Sequence, residues 1–325
     1  MSIATAIQNA QQKVAAAYTA VSSKGGTLPQ TQDLNNLPTA INSISGGSFI
    51  GIPREVTESG VYSLPQTDYV FTLPANVEAL GNYAFYYGFY YQSHLTEAVF
   101  DCNEIHAQAF QNAFNYCTNL VTFRCTATVA MGYSCFATAF KYCSSFKNFL
   151  MPNLKKVGNG FTQAFEGVTS IEQFELPSLE EITGGYTFSN AFSGCTHLTT
   201  VSFPKLKQIK SSSSSDSNQF INCFNGCTSL VNVNFNSLEE MPQQKIFSTT
   251  FKGCTSLATL SFPALKSTSF GNNYTNQFNN MLQNVTGCTV HFPSNLQSVI
   301  GSWADVTAGF GGTNTTVLFD LTATE

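Results

Sequence analysis

Apolar and polar positions over residues 75–297 follow one pattern that recurs every 25 to 32 residues, in eight copies. In the clearest copies a phenylalanine follows a small residue, and a cysteine and a leucine come at further intervals of three, as in Phe192, Cys195 and Leu198, while the copies at Phe85 and Phe278 are degenerate. The alternation after the leucine predicts a short strand with one buried face, followed by a second extended piece. The eight phenylalanines are Phe85, Phe114, Phe140, Phe165, Phe192, Phe224, Phe251 and Phe278. One such unit cannot bury its apolar face alone, so the pattern predicts a repeat solenoid of parallel strands.

The segments on either side of the repeats depart from the pattern. We divide the chain into a helical module over residues 1–48, an N-terminal cap over 49–74, the solenoid over 75–297 and a C-terminal cap over 298–325. A solenoid needs caps because its two ends would otherwise expose the core. Strand-like alternation at Tyr69–Leu73 and Val317–Leu321 is typical of such capping segments.

Charged pairs of alternating sign recur in the second extended piece of successive copies. The pairs are Lys155-Lys156, Glu180-Glu181, Lys207-Gln208, Glu239-Glu240 and Lys266-Ser267. If neighbouring copies stack in parallel about 4.8 Å apart, each pair meets the opposite charge above and below it. Like charges at these positions would be unfavourable. The sequence therefore predicts that the pairs lie on adjacent rungs of one charge ladder, which sets the register.

The cysteines of the repeats occupy one repeated position. Val168 takes that position in one copy, and a residue that valine can replace is acting as a small buried apolar group. We therefore expect buried, structural thiols. Disulfides between successive rungs stay open, although the valine fits them poorly. The four histidines lie far apart in sequence and the chain contains no CxxC pair, so we expect no metal site.

The repeat, written AFxGCTSLxxVxFPxLxxI, resembles the BspA-type leucine-rich repeat. The matching features are the Ala-Phe and Gly-Cys pairs, the Thr-Ser-Leu run and the proline, as in Phe251 to Leu265. The resemblance covers about residues 75 to 297. It implies a curved right-handed solenoid with parallel strands that serves binding or adhesion and carries no catalysis.

Residues 1–22 read as a helix with an a/d heptad seam, since apolar residues step by four and three from Ile3 through Ile7, Val14 and Val21. Two interpretations stay open, a helix packed on its own domain and a helix that drives oligomerisation or docking. We expect a homo-oligomer, with a trimer favoured. Three further residues continue the apolar attachment surface of this module, and they are Leu34, Leu37 and Ile41.

The segment from residue 3 to 44, which includes KGGTLPQTQDLNNLPTAINSI, resembles the N-terminal segment of many tailed-bacteriophage virion proteins. That resemblance implies a tail-fibre, baseplate or head-appendage protein that attaches to other virion proteins. The N-terminus has no basic region followed by an apolar core, so we expect no signal peptide and localisation in a virion assembled in the host cytoplasm. The alternative is a bacterial BspA-like cell-surface adhesin, which would need export.

Composition narrows the classes of partner. The net charge is −5 with only 14 basic residues, which argues against nucleic acid, because phosphates demand clustered lysine and arginine. No apolar run of the roughly 18 residues needed to span a bilayer exists, so we expect no membrane insertion. The sequence contains no nucleotide loop, zinc signature or nucleophile elbow. We therefore expect no enzyme, no catalytic residues and no cofactor.

The most unusual local feature is an aromatic run within the first copy, which we select as a possible ligand-binding site. Its members are Tyr86, Tyr87, Phe89, Tyr90 and Tyr91. In a strand such a run cannot all point inward, so some rings would face solvent, where aromatic clusters often bind partners. The expected ligand is a host cell-surface protein or glycan. The competing interpretation is a wide first repeat whose aromatic rings close the core.

Overall fold

The computed structural model describes residues 14–15, 17–19, 48–49, 67–73, 77–210, 218–242, 245–267, 277–300 and 309–322. These residues form a parallel β-solenoid of about eight turns, as the repeat pattern predicts. Each typical turn contributes two short strands and one run of tight turns. The core therefore lies inside three sides, each built by stacking equivalent segments of successive repeats.

The first side is a row of parallel strands that follow the repeated leucine. In chain order the strands are β2 (Tyr69–Thr72), β4 (Leu95–Phe100), β6 (Thr122–Cys125), β8 (Asn148–Leu150), β10 (Gln173–Glu175), β12 (Thr200–Ser202), β14 (Asn232–Asn234), β15 (Thr259–Ser261), β16 (Thr289–Pro293) and β17 (Thr316–Leu321). Backbone pairing divides the row into the sheets β2-β4-β6-β8, β10-β12-β14 and β15-β16-β17. The two terminal segments expected to be strand-like, near Tyr69 and Val317, are strands of this row.

The second side is a single parallel sheet of seven strands. They are β1 (Ser48–Phe49), β3 (Ala79–Leu80), β5 (Glu104–Ile105), β7 (Val129–Tyr133), β9 (Lys156–Asn159), β11 (Glu181–Ile182) and β13 (Gln208–Ile209), in that order. A further parallel bridge joins Gln208 to Glu240. The residues that follow β16 form a 3-10 turn (Ser294–Leu296) and a short helix (Gln297–Ile300).

The third side consists of turn segments rather than strands. The structure describes eight of them, at residues 82–91, 107–116, 135–142, 162–167, 187–194, 219–226, 246–253 and 277–284. Alternate backbone amides donate to carbonyls of the next repeat, as Phe114 does to Ala139 at 2.9 Å. The amides between them donate three residues back, as Ala113 does to Phe110 at 3.0 Å. Both sets of backbone groups therefore have hydrogen-bond partners. The backbone of the turn segments can pack on the core although it forms no β-strand.

Two rows of phenylalanine from the turn segments fill the core. One runs through Phe85, Phe110, Phe136, Phe161, Phe188, Phe220, Phe247 and Phe278, with successive centroids 4.9 to 5.8 Å apart. The other runs through Phe89, Phe114, Phe140, Phe165, Phe192, Phe224 and Phe251, at 4.9 to 5.5 Å. A fully buried side chain of this size contributes about 1.5–3 kcal/mol, and each ring pair adds about 0.5–1.5 kcal/mol.

These rows correct the predicted alignment of the first and last copies. Phe85 and Phe278 stack on Phe110 and Phe247, so they belong to the first row rather than to the row that precedes the cysteine. The equivalent of Phe114 in the first copy is Phe89, which stacks on it at 5.2 Å. The sequence alignment was four residues out of register at both ends, because each turn segment carries two apolar positions four residues apart.

Candidate binding surface

The aromatic run of the first repeat divides between the core and the surface. Phe89 is 7% exposed and stacks inside the core, so its prediction as a ligand-binding residue is wrong. Tyr91 is 57% exposed and Tyr86 is 39% exposed, while Tyr87 and Tyr90 are half-buried. In a turn segment two of every four side chains point inward, which sends Phe85 and Phe89 to the core. The interpretation that the run closes the core applies to Phe85 and Phe89, whereas ligand binding by the exposed tyrosines stays a prediction.

The exposed tyrosines join others into one continuous aromatic patch. Ring contacts of 4.5 to 6.2 Å between centroids link seven of them in sequence and across repeats. A hydrogen bond from side chain to side chain between Tyr83 and Tyr133 adds an eighth. We call this patch the tyrosine surface, and its members are Tyr83, Tyr86, Tyr87, Tyr90, Tyr91, Tyr116, Tyr133 and Tyr142.

Three members of the patch form what we call the tyrosine ladder, which is Tyr91, Tyr116 and Tyr142. They lie at the same position of three successive repeats, two residues after the phenylalanine of the second row. The centroids of Tyr91 and Tyr116 are 4.5 Å apart with planes 4° from parallel, and those of Tyr116 and Tyr142 are 4.6 Å apart. Stacking of this kind fixes the rings relative to one another before any ligand arrives.

The backbone at this position is left-handed in every described repeat. Tyr91, Tyr116 and Tyr142 have φ of 62°, 63° and 64°. The later repeats place residues there that tolerate this conformation, namely Gly167, Gly194, Gly226, Gly253 and Asn284. A bulky side chain in the left-handed region costs on the order of 1 kcal/mol, so the three tyrosines are placed against local preference. Other non-glycine residues of the turn segments share this conformation, among them Thr138 and Thr249, so it belongs to the turn geometry.

The patch is almost free of charge. Across residues 82–91, 107–116 and 135–142 the sole charged residue is Lys141. Its ammonium lies 2.9 Å from the Glu166 carboxylate and 5.2 Å from the centroid of the Tyr142 ring. The hydrogen bond to Glu166, opposed by partial burial, raises the pKa of Lys141. The hydrogen bond with Tyr133 raises the pKa of Tyr83.

The charge ladder lies on the second side, where several of its lysines and glutamates form ion pairs with one another. Glu181 pairs in register with Lys156 and with Gln208, which confirms the predicted adjacent rungs. Its carboxylate lies 2.8 Å from the Lys210 ammonium and 3.4 Å from that of Lys156. The hydrogen bond that Lys210 donates is the main reason why the pKa of Glu181 is lowered. Lysines and glutamates of the ladder also line a shallow depression, which holds three lysines and two glutamates.

All ten cysteines are buried and free. Five of the repeat cysteines donate their S–H to the carbonyl of the second-row phenylalanine in the previous repeat. The sulfur–oxygen distances are 2.9 to 3.1 Å for Cys117, Cys143, Cys195, Cys227 and Cys254. Burial raises the pKa of Cys117 to about 12 and raises that of Cys143 as well. These thiols stay protonated at neutral pH, so they join rungs and are poor nucleophiles.

Side-chain clusters that could carry other chemistry are few in the part of the chain that the structure describes. No group of three or more histidine, cysteine, aspartate or glutamate residues there is placed to hold a metal ion. His94 with Asp68 and His291 with Asp320 form pairs on the surface, at 3.4 and 2.9 Å. The same residues include no helix with the length and hydropathy to cross a bilayer.

Most of the predicted attachment residues lie outside the described residues. These are Ile3, Ile7, Val21, Leu34, Leu37 and Ile41. Val14 is in helical conformation, as are Ala15 and residues 17–19, and the Thr19 hydroxyl donates to the Ala15 carbonyl at 3.0 Å. The seam and its proposed oligomer therefore stay predictions.

Four members of the tyrosine surface were missed from the sequence, namely Tyr83, Tyr116, Tyr133 and Tyr142. A signal for two of them exists in the repeat itself. Once the copies are aligned on the second phenylalanine row, the position two residues later reads Tyr, Tyr, Tyr and then Gly four times. The run at residues 86–91 drew attention to one repeat, whereas the patch is built across repeats.

Comparison with known families settles the class of this solenoid. The profile for the BspA-type leucine-rich repeat region matches residues 35–138, 137–221 and 206–304, with six copies. The chain belongs to the BspA-type leucine-rich repeat family. Solenoids of this family are typically non-enzymatic binding scaffolds. The match covers the repeats predicted from the sequence, whereas the virion-like segment over residues 3–44 finds no support in the comparisons.

Solved structures of similar proteins resemble this BspA-type chain only distantly. A leucine-rich repeat protein of T. pallidum is 20% identical, with 58% of this chain and 78% of that chain covered and a TM-score of 0.34. A leucine-rich cell-surface protein of Faecalibacterium prausnitzii is 13% identical (77% and 88% covered, TM-score 0.26). The pneumococcal vaccine antigen PcpA is 12% identical (80% and 91% covered, TM-score 0.25). No curated protein matches significantly.

Proposed function

We propose that this chain is a non-enzymatic adhesion protein whose tyrosine surface binds a macromolecule on a host-cell surface. The observation that carries the proposal is the tyrosine ladder. Three repeats place a tyrosine, exposed at Tyr91 and Tyr142 and half-buried at Tyr116, where four later repeats place glycine at the same left-handed backbone. Folding alone does not call for these rings, since the glycine repeats stack with the same core rows.

The chemistry of the patch suits recognition of a protein or glycan. Tyrosine offers a large apolar ring with a hydroxyl and loses little conformational entropy on binding, which is why it is enriched at binding hot spots. Stacking within the patch lowers that entropy cost further, because the rings are held in place beforehand. Display of several copies would add avidity to a modest single-site affinity.

A comparison of binding between the wild type and a ladder variant tests this function. The variant carries Tyr91→Gly, Tyr116→Gly and Tyr142→Gly, which makes the position match the later repeats. Both proteins are measured against immobilised type I collagen, fibronectin, mucin and dextran. We expect the wild type to bind at least one of these and the variant to lose that binding. Binding to none of them, or equal binding by both proteins, would contradict the proposal.

The site of display is a separate proposal. The segment over residues 3–44 favours attachment to a bacteriophage virion, with a bacterial cell surface as the alternative. Light-scattering mass of the full chain and of a shortened chain that begins at Ser48, which keeps β1, tests the N-terminal module. An oligomer that becomes a monomer on shortening would support attachment through residues 1–47. Monomers in both cases would weaken the virion placement.

A further inference from the structure

The geometry of the tyrosine ladder limits what it can contact. Both faces of the Tyr116 ring are covered, one by Tyr91 at 4.5 Å and the other by Tyr142 at 4.6 Å. Lys141 lies beside Tyr142, with its ammonium 5.2 Å from the ring centroid. The middle ring therefore presents its edge and hydroxyl group to solvent, whereas no ladder ring covers the outer faces of Tyr91 and Tyr142. The ladder runs along the axis of the solenoid at the spacing of its rungs.

This presentation disfavours two classes of ligand. A sugar ring packs its C–H face on an open aromatic face, so a glycan that spans the ladder finds no such face at the middle ring. An anionic ligand, such as a phosphate-bearing or sialylated chain, needs cations, and the one lysine of the patch is paired with Glu166 at 2.9 Å. The ladder is thus suited to an uncharged ligand that contacts ring edges and hydroxyl groups.

An extended proline-rich polypeptide meets both conditions. In the polyproline II conformation the backbone forms no internal hydrogen bonds, so its carbonyls are available to the phenol hydroxyls, each of which can donate. Proline has no N–H, so a proline-rich segment has few donors that need acceptors on the protein. The proline rings themselves are apolar. Aromatic surfaces recognise these segments in other folds because the ligand is already ordered. Resting on the adhesion function above, we propose that the tyrosine ladder binds an uncharged, proline-rich segment of a host-surface protein.

The repeat that follows the ladder provides a way to lengthen it. Gly167 is at the ladder position with φ of 73°, and a side chain added there meets nothing within 4 Å. Gly167→Tyr would set a fourth ring next to Tyr142. Gly226 has φ of 75° and a similarly open site, with the Gly194 repeat lying between it and Gly167. Gly226→Tyr therefore adds a tyrosine at the equivalent position of a later repeat, where it has no ladder ring beside it.

Isothermal titration of the full chain with a dodecamer of proline tests the proposal, with cellohexaose as a neutral glycan probe. We expect the wild type to bind the peptide. Tyr116→Gly should lower the affinity for the peptide about tenfold, and Gly167→Tyr should raise it about threefold. The matched control, Gly226→Tyr, should leave the affinity unchanged. The gain expected from Gly167→Tyr keeps the test decisive even where Tyr116→Gly perturbs folding.

The remaining outcomes separate this proposal from the adhesion function. Binding of cellohexaose without the peptide would overturn the proline-rich ligand while leaving adhesion through the tyrosine surface intact. The same holds where neither probe binds but the ladder variant still loses binding to a host-surface macromolecule. Equal peptide affinity of Tyr116→Gly and the wild type would overturn the proposal, because the peptide would then bind elsewhere.

Discussion

The turn segments at residues 82–142 and those at residues 162–253 share one core and present different surfaces. In both regions the second-row phenylalanines stack at 4.9 to 5.5 Å, and the backbone two residues later is left-handed. The first region carries tyrosine at that position and the second carries glycine. The repeat architecture thus separates what holds the rungs together from what each rung displays.

A second difference concerns charge. On the second side, residues paired across successive strands form a row. In chain order its members are Ala79, Glu104, Val129, Lys156 and Glu181. Val129 therefore interrupts the row between the two regions. The turn segments of the tyrosine region carry one charged residue, whereas the second side of the glycine region carries the ion pairs of Glu181 with Lys156 and Lys210. This contrast shows that the two regions differ in the chemistry of their surfaces, with an aromatic patch in one and a charge ladder in the other.

Core substitutions should give the largest effect and the same effect in both regions. Phe114→Ala removes a ring stacked between Phe89 and Phe140, and Phe192→Ala removes one between Phe165 and Phe224. Each should cost about 3–5 kcal/mol of the free energy of unfolding, through lost burial and the cavity left behind. Urea unfolding measures both. A difference above about 2 kcal/mol between them would break the claim of a shared core.

Exchange of the surface residues should have a smaller and asymmetric effect. Gly226→Tyr puts a ring on left-handed backbone with no stacking neighbour, and should destabilise the chain by about 1–2 kcal/mol. Tyr116→Gly relieves the same strain but loses two ring contacts, so it should change the free energy of unfolding by less than about 1 kcal/mol.

Thermal unfolding of the two variants beside the wild type provides the comparison. A neutral Gly226→Tyr would show that the left-handed position costs nothing for tyrosine. The argument from strain would then fail, although the patch itself would remain.

Acidification should give the smallest effect, confined to the glycine region. Because the folded pKa of Glu181 is lowered, its contribution is present above the unfolded value and is lost as pH falls through the folded value. We expect the thermal midpoint of the wild type to fall slightly more between pH 7 and pH 3 than that of Glu181→Gln, since partly exposed ion pairs contribute little. Equal falls in the two proteins would show that this rung of the charge ladder has no role in stability.

The sequence predicts much of the fold and little of the candidate site. The repeat length, the parallel strands and the charge ladder follow from periodicity, since side chains at equivalent positions meet in a stack. The register of Phe85 and Phe278 does not follow, because each turn segment offers two apolar positions and only packing distinguishes them. The tyrosine ladder lies at a position that the Phe, Cys and Leu pattern leaves unspecified, and its members are some 25 residues apart in sequence. Their proximity emerges only when the repeats are stacked in the correct register.

The central claim is that the ladder tyrosines serve binding and contribute little to folding. The direct test uses the wild type and the triple variant that carries Tyr91→Gly, Tyr116→Gly and Tyr142→Gly. For each protein it measures the affinity for a host-surface macromolecule that the wild type binds, and the midpoint of thermal unfolding. The account predicts an affinity loss of at least about tenfold with a midpoint within about 4 °C of the wild type. A retained affinity, or a midpoint that falls much further than this, would contradict it.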